Sequence, residues 1–203
     1  MLNVIIAGLG GQGTILASRL IGEAAVAAGL DVRGSETIGM AQRGGSVISH
    51  LRIGEHIFSP LIPPRGADII IAFEAGEAVR AADFLKADGI VVVCDRIIKP
   101  VSGGETYEKQ TMLAWLCANI KKLFVADGEK IAAQCGDRCL NTALVGCAMQ
   151  IGVFPFSPGD METIIKKKVK SQYVEQNINA LHVGQALYTG QALQTGVESN
   201  ISP

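Results

Sequence analysis

Chemistry in this chain is concentrated where glycine stands beside polar side chains. Gly8-Leu9-Gly10-Gly11-Gln12-Gly13 follows the apolar run Leu2–Ala7 and precedes a helical stretch, so it meets the G-x-G-x-x-G pattern in the strand-to-helix setting the pattern requires. Gly8, Gly10 and Gly13 would permit a tight turn and bring backbone N–H groups up to a phosphate, with the positive end of a helix dipole behind them. Glu36 stands 23 positions after Gly13, near the place of a ribose-binding acid. The segment Ser35–Ser46 then gathers a carboxylate (Glu36), an amide (Gln42) and a guanidinium (Arg43) among Gly39, Gly44 and Gly45. Flexible backbone beside polar groups is poorly explained by core packing, and a guanidinium suits bidentate contact with phosphate or carboxylate. His50 and Arg52 share one strand face and extend this polar wall, and Glu74 closes the run Asp68–Phe73 at its carboxyl end.

The same residues admit plainer readings. The glycines could make only a close strand-to-helix turn, and Gln12 stands where an open pyrophosphate loop favours a small residue. Between these lie a stand-alone NAD- or FAD-binding oxidoreductase and a site for some other phosphate-bearing ligand. Glu36 and Arg43 could pair on a surface loop, Arg52 with Glu55 or Glu74, and His50 could be a half-exposed sheet residue. Met40 reads as a packing residue at a subunit contact and Trp115 as core. Lys166, Lys167, Lys168 and Lys170 read as a solvated helix face, with docking of a protein partner as the functional alternative.

Composition narrows the class. The 203 residues carry 18 Lys+Arg against 19 Asp+Glu, so net charge gives no reason to expect nucleic acid or an anionic membrane as partner. Hydrophobic residues reach 48% and charged residues only 18%, which excludes disorder and favours covering part of the surface with another subunit. No run approaches the ~20 apolar residues that span a bilayer, and the first residues read as a strand rather than a signal peptide. Five cysteines (Cys94, Cys117, Cys135, Cys139 and Cys147) without C-x-x-C spacing read as reduced thiols in a cytoplasm, offering neither a zinc nor an iron–sulfur site. Cys135 and Cys139 could share a helix face but read as buried, inert thiols.

The elements that position these groups follow from periodicity. Leu2–Ala7 is a continuous apolar run, as in a parallel strand buried on both faces; Asp68–Phe73 reads as the next buried strand, Gly89–Cys94 as another and Leu123–Ala126 as a short one. Asp31–Ser35 reads as a short second strand. Val47–Ile53 alternates, and Gly54-Glu55 predicts a tight hairpin returning through His56–Ser59. Helices are expected at Thr14–Ala28 with Gly29 at its end, Ala75–Lys86, Glu108–Lys121, Lys130–Cys135, Asp137–Ile151, Asp160–Lys170 and Ser171–Leu193. The sum is an α/β class: a doubly wound, mostly parallel sheet with an inserted β-hairpin and a helical C-terminal third. Residues 1–195 read as one domain, 136–195 as its helical flank and 196–203 as a frayed tail.

An ordered series of motifs then resembles a known family. GLGGQG after the first strand, ETIGMAQRGGSVISHLRIG, FSPLI and ADIIIAFEAGEAVR are similar to the gamma subunit or domain of 2-oxoacid:ferredoxin oxidoreductases. The Gly-Met-Ala-Gln-Arg-Gly-Gly-Ser-Val form is especially similar to the beta subunit of the indolepyruvate enzymes, and Asn141, Gly146 and Asn177-x-x-Ala180-x-x-x-Gly184 continue the series. The resemblance implies oxidative decarboxylation of a 2-oxo acid, with thiamine diphosphate, Mg2+ and 4Fe–4S clusters on a large partner subunit, ferredoxin as electron acceptor and coenzyme A taking the acyl group. It makes this chain a small subunit that completes the active site, inactive alone. Glu36, Gln42 and Arg43 become candidates for the crevice, and Gly8, Gly10, Gly11, Gln12, Gly13, Gly44, Gly45, His50, Arg52 and Glu74 for cofactor contact. A purely structural subunit is the remaining alternative.

Overall fold

A computed structural model describes residues 1–38, 44–99 and 107–188. Its centre is a six-stranded sheet of β1 (Leu2–Leu9), β2 (Asp31–Ile38), β3 (Ser46–Gly54), β4 (Ala67–Ala72), β5 (Leu85–Cys94) and β6 (Lys122–Ala126), in the order β2-β3-β1-β4-β5-β6. The β1, β4, β5 and β6 strands run parallel, while β3 is antiparallel to both β1 and β2.

The apolar runs are buried on two faces, as expected. Val4 and Ile6 of β1 join one core with Ile69, Ile71, Val92 and Phe124, whereas Ile5 and Ala7 join the opposite core with Ile70, Ala72, Val91 and Val93. The first face is covered by α1 (Thr14–Ala27), α5 (Leu140–Gln150), α6 (Pro158–Lys168) and α7 (Ser171–Leu187), with α4 (Gly128–Cys135) beside them. The second is covered by α2 (Ala75–Ala81) and α3 (Lys109–Asn119). Helices on both faces make the sheet doubly wound, and the helical C-terminal part lies on one side. Among the described residues no helix is long and apolar enough to cross a membrane.

Local chemistry explains the helix ends. Gly29, at φ +82°, sits just after the Ala28 cap of α1 and donates its N–H to the Val26 carbonyl. Asp127 caps α4 through the N–H groups of Glu129 and Lys130, and Ser157 with Asp160 forms a reciprocal capping box on α6.

Three expectations are corrected. The hairpin is not Gly54-Glu55 with a returning His56–Ser59 strand; it is β2 with β3, eight residues paired from Asp31↔Gly54 to Ile38↔Val47. Both edges of β3 are already taken by β1 and β2, so a further strand has nowhere to pair, and the chain leaves the sheet through His56 at φ +56°. The helix expected to reach Lys86 stops at Ala81, followed by a 3₁₀ turn at Ala82–Phe84, because Leu85 already pairs with Ala67. Trp115 is also not core: it is 42% exposed on α3. The last part of the expected Ser171–Leu193 helix and the 196–203 tail lie outside the described residues.

Candidate functional site

Parallel strands end in a crevice where neighbouring connections leave on opposite faces. Here that point lies between β1, which leads into α1 on one face, and β4, which leads into α2 on the other. Gly8–Gly13 follows β1, Glu74 follows β4, and Arg96–Ile98 follows β5, so the three segments share one edge of the sheet.

The glycine loop is built for close approach at two positions. A β-carbon on Gly8 would stand 2.9 Å from both Gln12 Oε1 and Thr14 Cγ2. One on Gly13, at φ +83°, would overlap Asn141 Nδ2. Gln12 takes part in the turn itself, its side-chain oxygen accepting the Leu9 N–H at 2.7 Å. Gly10 donates to the Gly45 carbonyl at 2.8 Å and accepts from the Gly44 N–H at 3.3 Å. These bonds extend the β1–β3 ladder and join Gly44 and Gly45 to the loop after β1.

Glu74 is fully buried at the N-cap of α2. Its carboxylate accepts the Glu77 N–H at 2.9 Å, the Ile98 N–H at 3.0 Å and the Tyr107 hydroxyl at 3.0 Å. Desolvation raises its pKa, and those hydrogen bonds oppose the rise. Gly76 leaves room for this, since a β-carbon there would overlap the Tyr107 hydroxyl oxygen. Glu77, also fully buried, pairs with Arg80 and accepts the Ser46 hydroxyl at 2.5 Å. One helical turn thus fixes both the start of β3 and the segment after β5.

Between the glycine loop, the segment after β5 and the start of α5 lies a cavity of about 770 Å³, lined by Gly11, Gln12, Arg96, Lys109, Arg138 and Leu140 among others. Arg96 pairs with Asp137 at 2.5 Å and Lys109 with Asp95 at 3.1 Å. Arg138 has no carboxylate partner among the described residues. The lining also holds the Asp137 carboxylate with Ile97 and Ile98, and Arg138 is its cation outside an ion pair among the described residues, which suits an anionic group such as a phosphate.

The remaining sequence candidates fall elsewhere. Gln42, Arg43 and Met40 lie outside the described residues. Glu36 is exposed within β2, two strands from β1 and paired with Ser49, because β3 occupies the position beside β1 that a ribose-binding strand would need. The geometry on which the NAD or FAD reading depends is therefore missing. His50 is buried under Phe84, edge to face at 5.2 Å, with Nδ1 accepting the Ile62 N–H at 3.2 Å. Burial lowers its pKa, which favours the neutral ring. Arg52 pairs across the sheet with Asn3 at the far end of β1 and bonds Asn3 Oδ1 at 3.0 Å and the Ser59 carbonyl at 2.9 Å, touching neither Glu55 nor Glu74. The crevice thus brings together Gly8–Gly13, Gly44, Gly45 and Glu74 but not Glu36, His50 or Arg52. Sequence reasoning missed Arg96, Tyr107, Lys109 and Arg138. Arg96 was legible in principle, directly following the carboxyl end of a buried strand.

Thiamine diphosphate with Mg2+, or an iron–sulfur cluster, would need a set of oxygen or thiolate ligands. Among the described residues no group of three or more His, Cys, Asp or Glu is placed to hold a metal ion. Burial pushes the Cys94 and Cys135 thiols up to about 11 and Cys147 to about 12, away from thiolate character. Cys135 ends α4 and Cys139 lies in the next 3₁₀ turn beyond Gly136, so they do not share a helix. The described residues do not fit these groups.

Known proteins resemble this chain over almost its whole length. The family model described as "Pyruvate ferredoxin/flavodoxin oxidoreductase" matches residues 3–187. The chain is 38% identical over 188 residues to indolepyruvate oxidoreductase subunit IorB of Archaeoglobus fulgidus, covering 90% of this chain and 93% of that protein. It is 35% identical to the Thermococcus kodakarensis protein of the same name, over the same shares. In fold it is similar to a keto/oxoacid ferredoxin oxidoreductase gamma subunit from Geobacter sulfurreducens, with TM-score 0.68, 20% identity and coverage of 94% and 99% of the two chains. It also matches 32% of a longer chain, the 2-oxoglutarate:ferredoxin oxidoreductase from Magnetococcus marinus solved with 2-oxoglutarate, coenzyme A and succinyl-CoA bound, covering 95% of this chain at TM-score 0.68 and 20% identity.

Proposed function

The chain belongs to the pyruvate ferredoxin/flavodoxin oxidoreductase family, and from that membership we propose that it is the gamma-type small subunit of a 2-oxoacid:ferredoxin oxidoreductase acting on indolepyruvate or a related aryl pyruvate. The IorB relatives support the substrate class. A larger partner subunit would hold thiamine diphosphate, Mg2+ and 4Fe–4S clusters, which supply decarboxylation of the 2-oxo acid and electron transfer to ferredoxin. Residues 1–195 act as one domain, and the reduced thiols suit a cytoplasmic complex.

This chain's own contribution is to complete the active site and to receive coenzyme A, which takes the acyl group. The cavity of about 770 Å³ is the observation that carries this assignment. Its cations Arg138, Arg96 and Lys109 face the phosphates of the CoA tail, and the Gly11 backbone and Gln12 amide supply further donors. Glu74 and Glu77 hold the surrounding segments in place rather than touching ligand.

The test is co-production with the large subunit and measurement of ferredoxin reduction. The expected result is turnover of indolepyruvate that depends on CoA. Replacing Arg138 by alanine should raise KM for CoA about tenfold with little change in kcat, the loss of one charge-assisted contact. Turnover of a 2-oxo acid by this chain alone, or an Arg138→Ala enzyme with unaltered KM for CoA, would overturn the reading.

A further inference from the structure

We infer that Asn141 is a positioning residue for the glycine loop, and that the buried relay from α7 through Asn177 and Thr142 to Asn141 sets how that loop faces the cavity. Asn177 donates its amide to the Tyr173 carbonyl at 2.8 Å, and its oxygen accepts the Thr142 hydroxyl at 2.7 Å. The Thr142 N–H donates to Asn141 Oδ1 at 2.8 Å, and Asn141 Nδ2 donates to the Gly13 carbonyl at 3.3 Å. Each direction is forced. A peptide N–H only donates and a carbonyl only accepts, so the orientation of both amides follows from their outer partners.

Burial makes the relay consequential. Asn141, Thr142 and Asn177 are 3%, 1% and 7% exposed, and buried polar groups of this kind are costly to leave unpaired. Gly13 is shaped to the contact, since a β-carbon there would overlap Asn141 Nδ2. The Gly13 carbonyl also accepts the Ala17 N–H at 3.0 Å, so Asn141 grips the carbonyl that starts α1. Leu140, the preceding residue, lines the cavity together with Gly11 and Gln12, so the relay ends directly behind that wall. None of these side chains reaches the ligand. They fix the backbone that does.

The experiment is hydrogen–deuterium exchange on the assembled enzyme. Asn141→Asp keeps the shape and the acceptor for Thr142 but places an oxygen against the Gly13 carbonyl. The Gly10, Gln12 and Ala17 amides should exchange about five- to tenfold faster. Asn177→Ala does not touch the loop, yet should accelerate the same amides about two- to fivefold, with the body of α5 unchanged. If Asn141→Asp fails to assemble, Asn177→Ala carries the test. Loop exchange unchanged in both variants, acceleration confined to Asn141→Asp, or a uniform rise along the chain would each overturn the relay. A second readout rests on the CoA reading: KM for CoA should rise about three- to tenfold in Asn141→Asp at unaltered kcat. If Arg138→Ala leaves KM for CoA unaltered, the CoA reading fails, and the exchange result still decides the role of Asn141.

Discussion

Replacing Gly184 by alanine should destabilise the chain, although helix propensity alone predicts the opposite. Gly184 lies inside α7, where alanine is ordinarily favoured over glycine by about 1 kcal/mol. The obstacle is backbone. A β-carbon there would overlap the Ala143 carbonyl oxygen and stand 2.6 Å from the carbonyl carbon. Gly146 repeats the arrangement from α5, where a β-carbon would overlap the Leu181 carbonyl oxygen. No rotamer relieves such a clash, so the two helices must part by about 1 Å or more to clear the carbonyl. Leu181 is fully buried in this seam. A buried leucine makes 40–60 contacts of about 0.1–0.2 kcal/mol, and a gap of 0.5–1 Å forfeits a quarter to a half of them, roughly 2–4 kcal/mol. Subtracting the propensity gain leaves a net loss of about 1–3 kcal/mol. For a chain of this size that lowers Tm by roughly 3–10 °C. Thermal unfolding of the purified chain measures it, with Gly159→Ala in α6 as control. Gly159 is exposed and its added carbon meets only Ser157 Oγ at 3.7 Å, so this variant should be neutral or slightly stabilised. A Gly184→Ala chain as stable as the parent would refute the reasoning.

Acid sensitivity should appear first at His50. Its folded pKa is depressed by burial, so its contribution to stability is complete above the unfolded value near 6.5 and is lost as pH falls below it. Tm recorded between pH 8 and 5 should fall in the parent and stay flatter in His50→Gln; equal slopes would remove His50 as the cause. Alkylation of the native chain followed by mass spectrometry should modify half-exposed Cys117 first and leave Cys94, Cys135 and Cys147 unmodified until urea is added. Gly76→Ala and Tyr107→Phe both break the Tyr107–Glu74 bond, so the double variant should lose clearly less stability than the sum of the two singles.

Much of the architecture was readable because apolar periodicity reports burial directly. The runs in β1, β4, β5 and β6 are apolar at successive positions since each residue faces one core or the other. Pairing partners were not readable in this way. Val47–Ile53 alternates whichever strand lies beside it, so periodicity gave the faces correctly and the hairpin incorrectly. For the site, the glycine loop and Glu74 were recognisable as types at strand ends. Arg138 was not, because only the packing of α5 against the glycine loop brings the 3₁₀ turn before it to the cavity. Glu77 was hidden inside a helix pattern in which a charged residue normally faces water.

The antiparallel strand lodged beside β1 also limits what this scaffold can become. Nucleotide specificity in doubly wound enzymes is commonly retuned by exchanging one acid at the tip of the strand flanking the glycine turn. Here that flank is the start of β3, running the wrong way, and Glu36 hangs at the sheet's outer margin. No single substitution can recruit a nicotinamide cofactor to this turn. The conversion would require rethreading the chain, so topology rather than side-chain choice sets this limit.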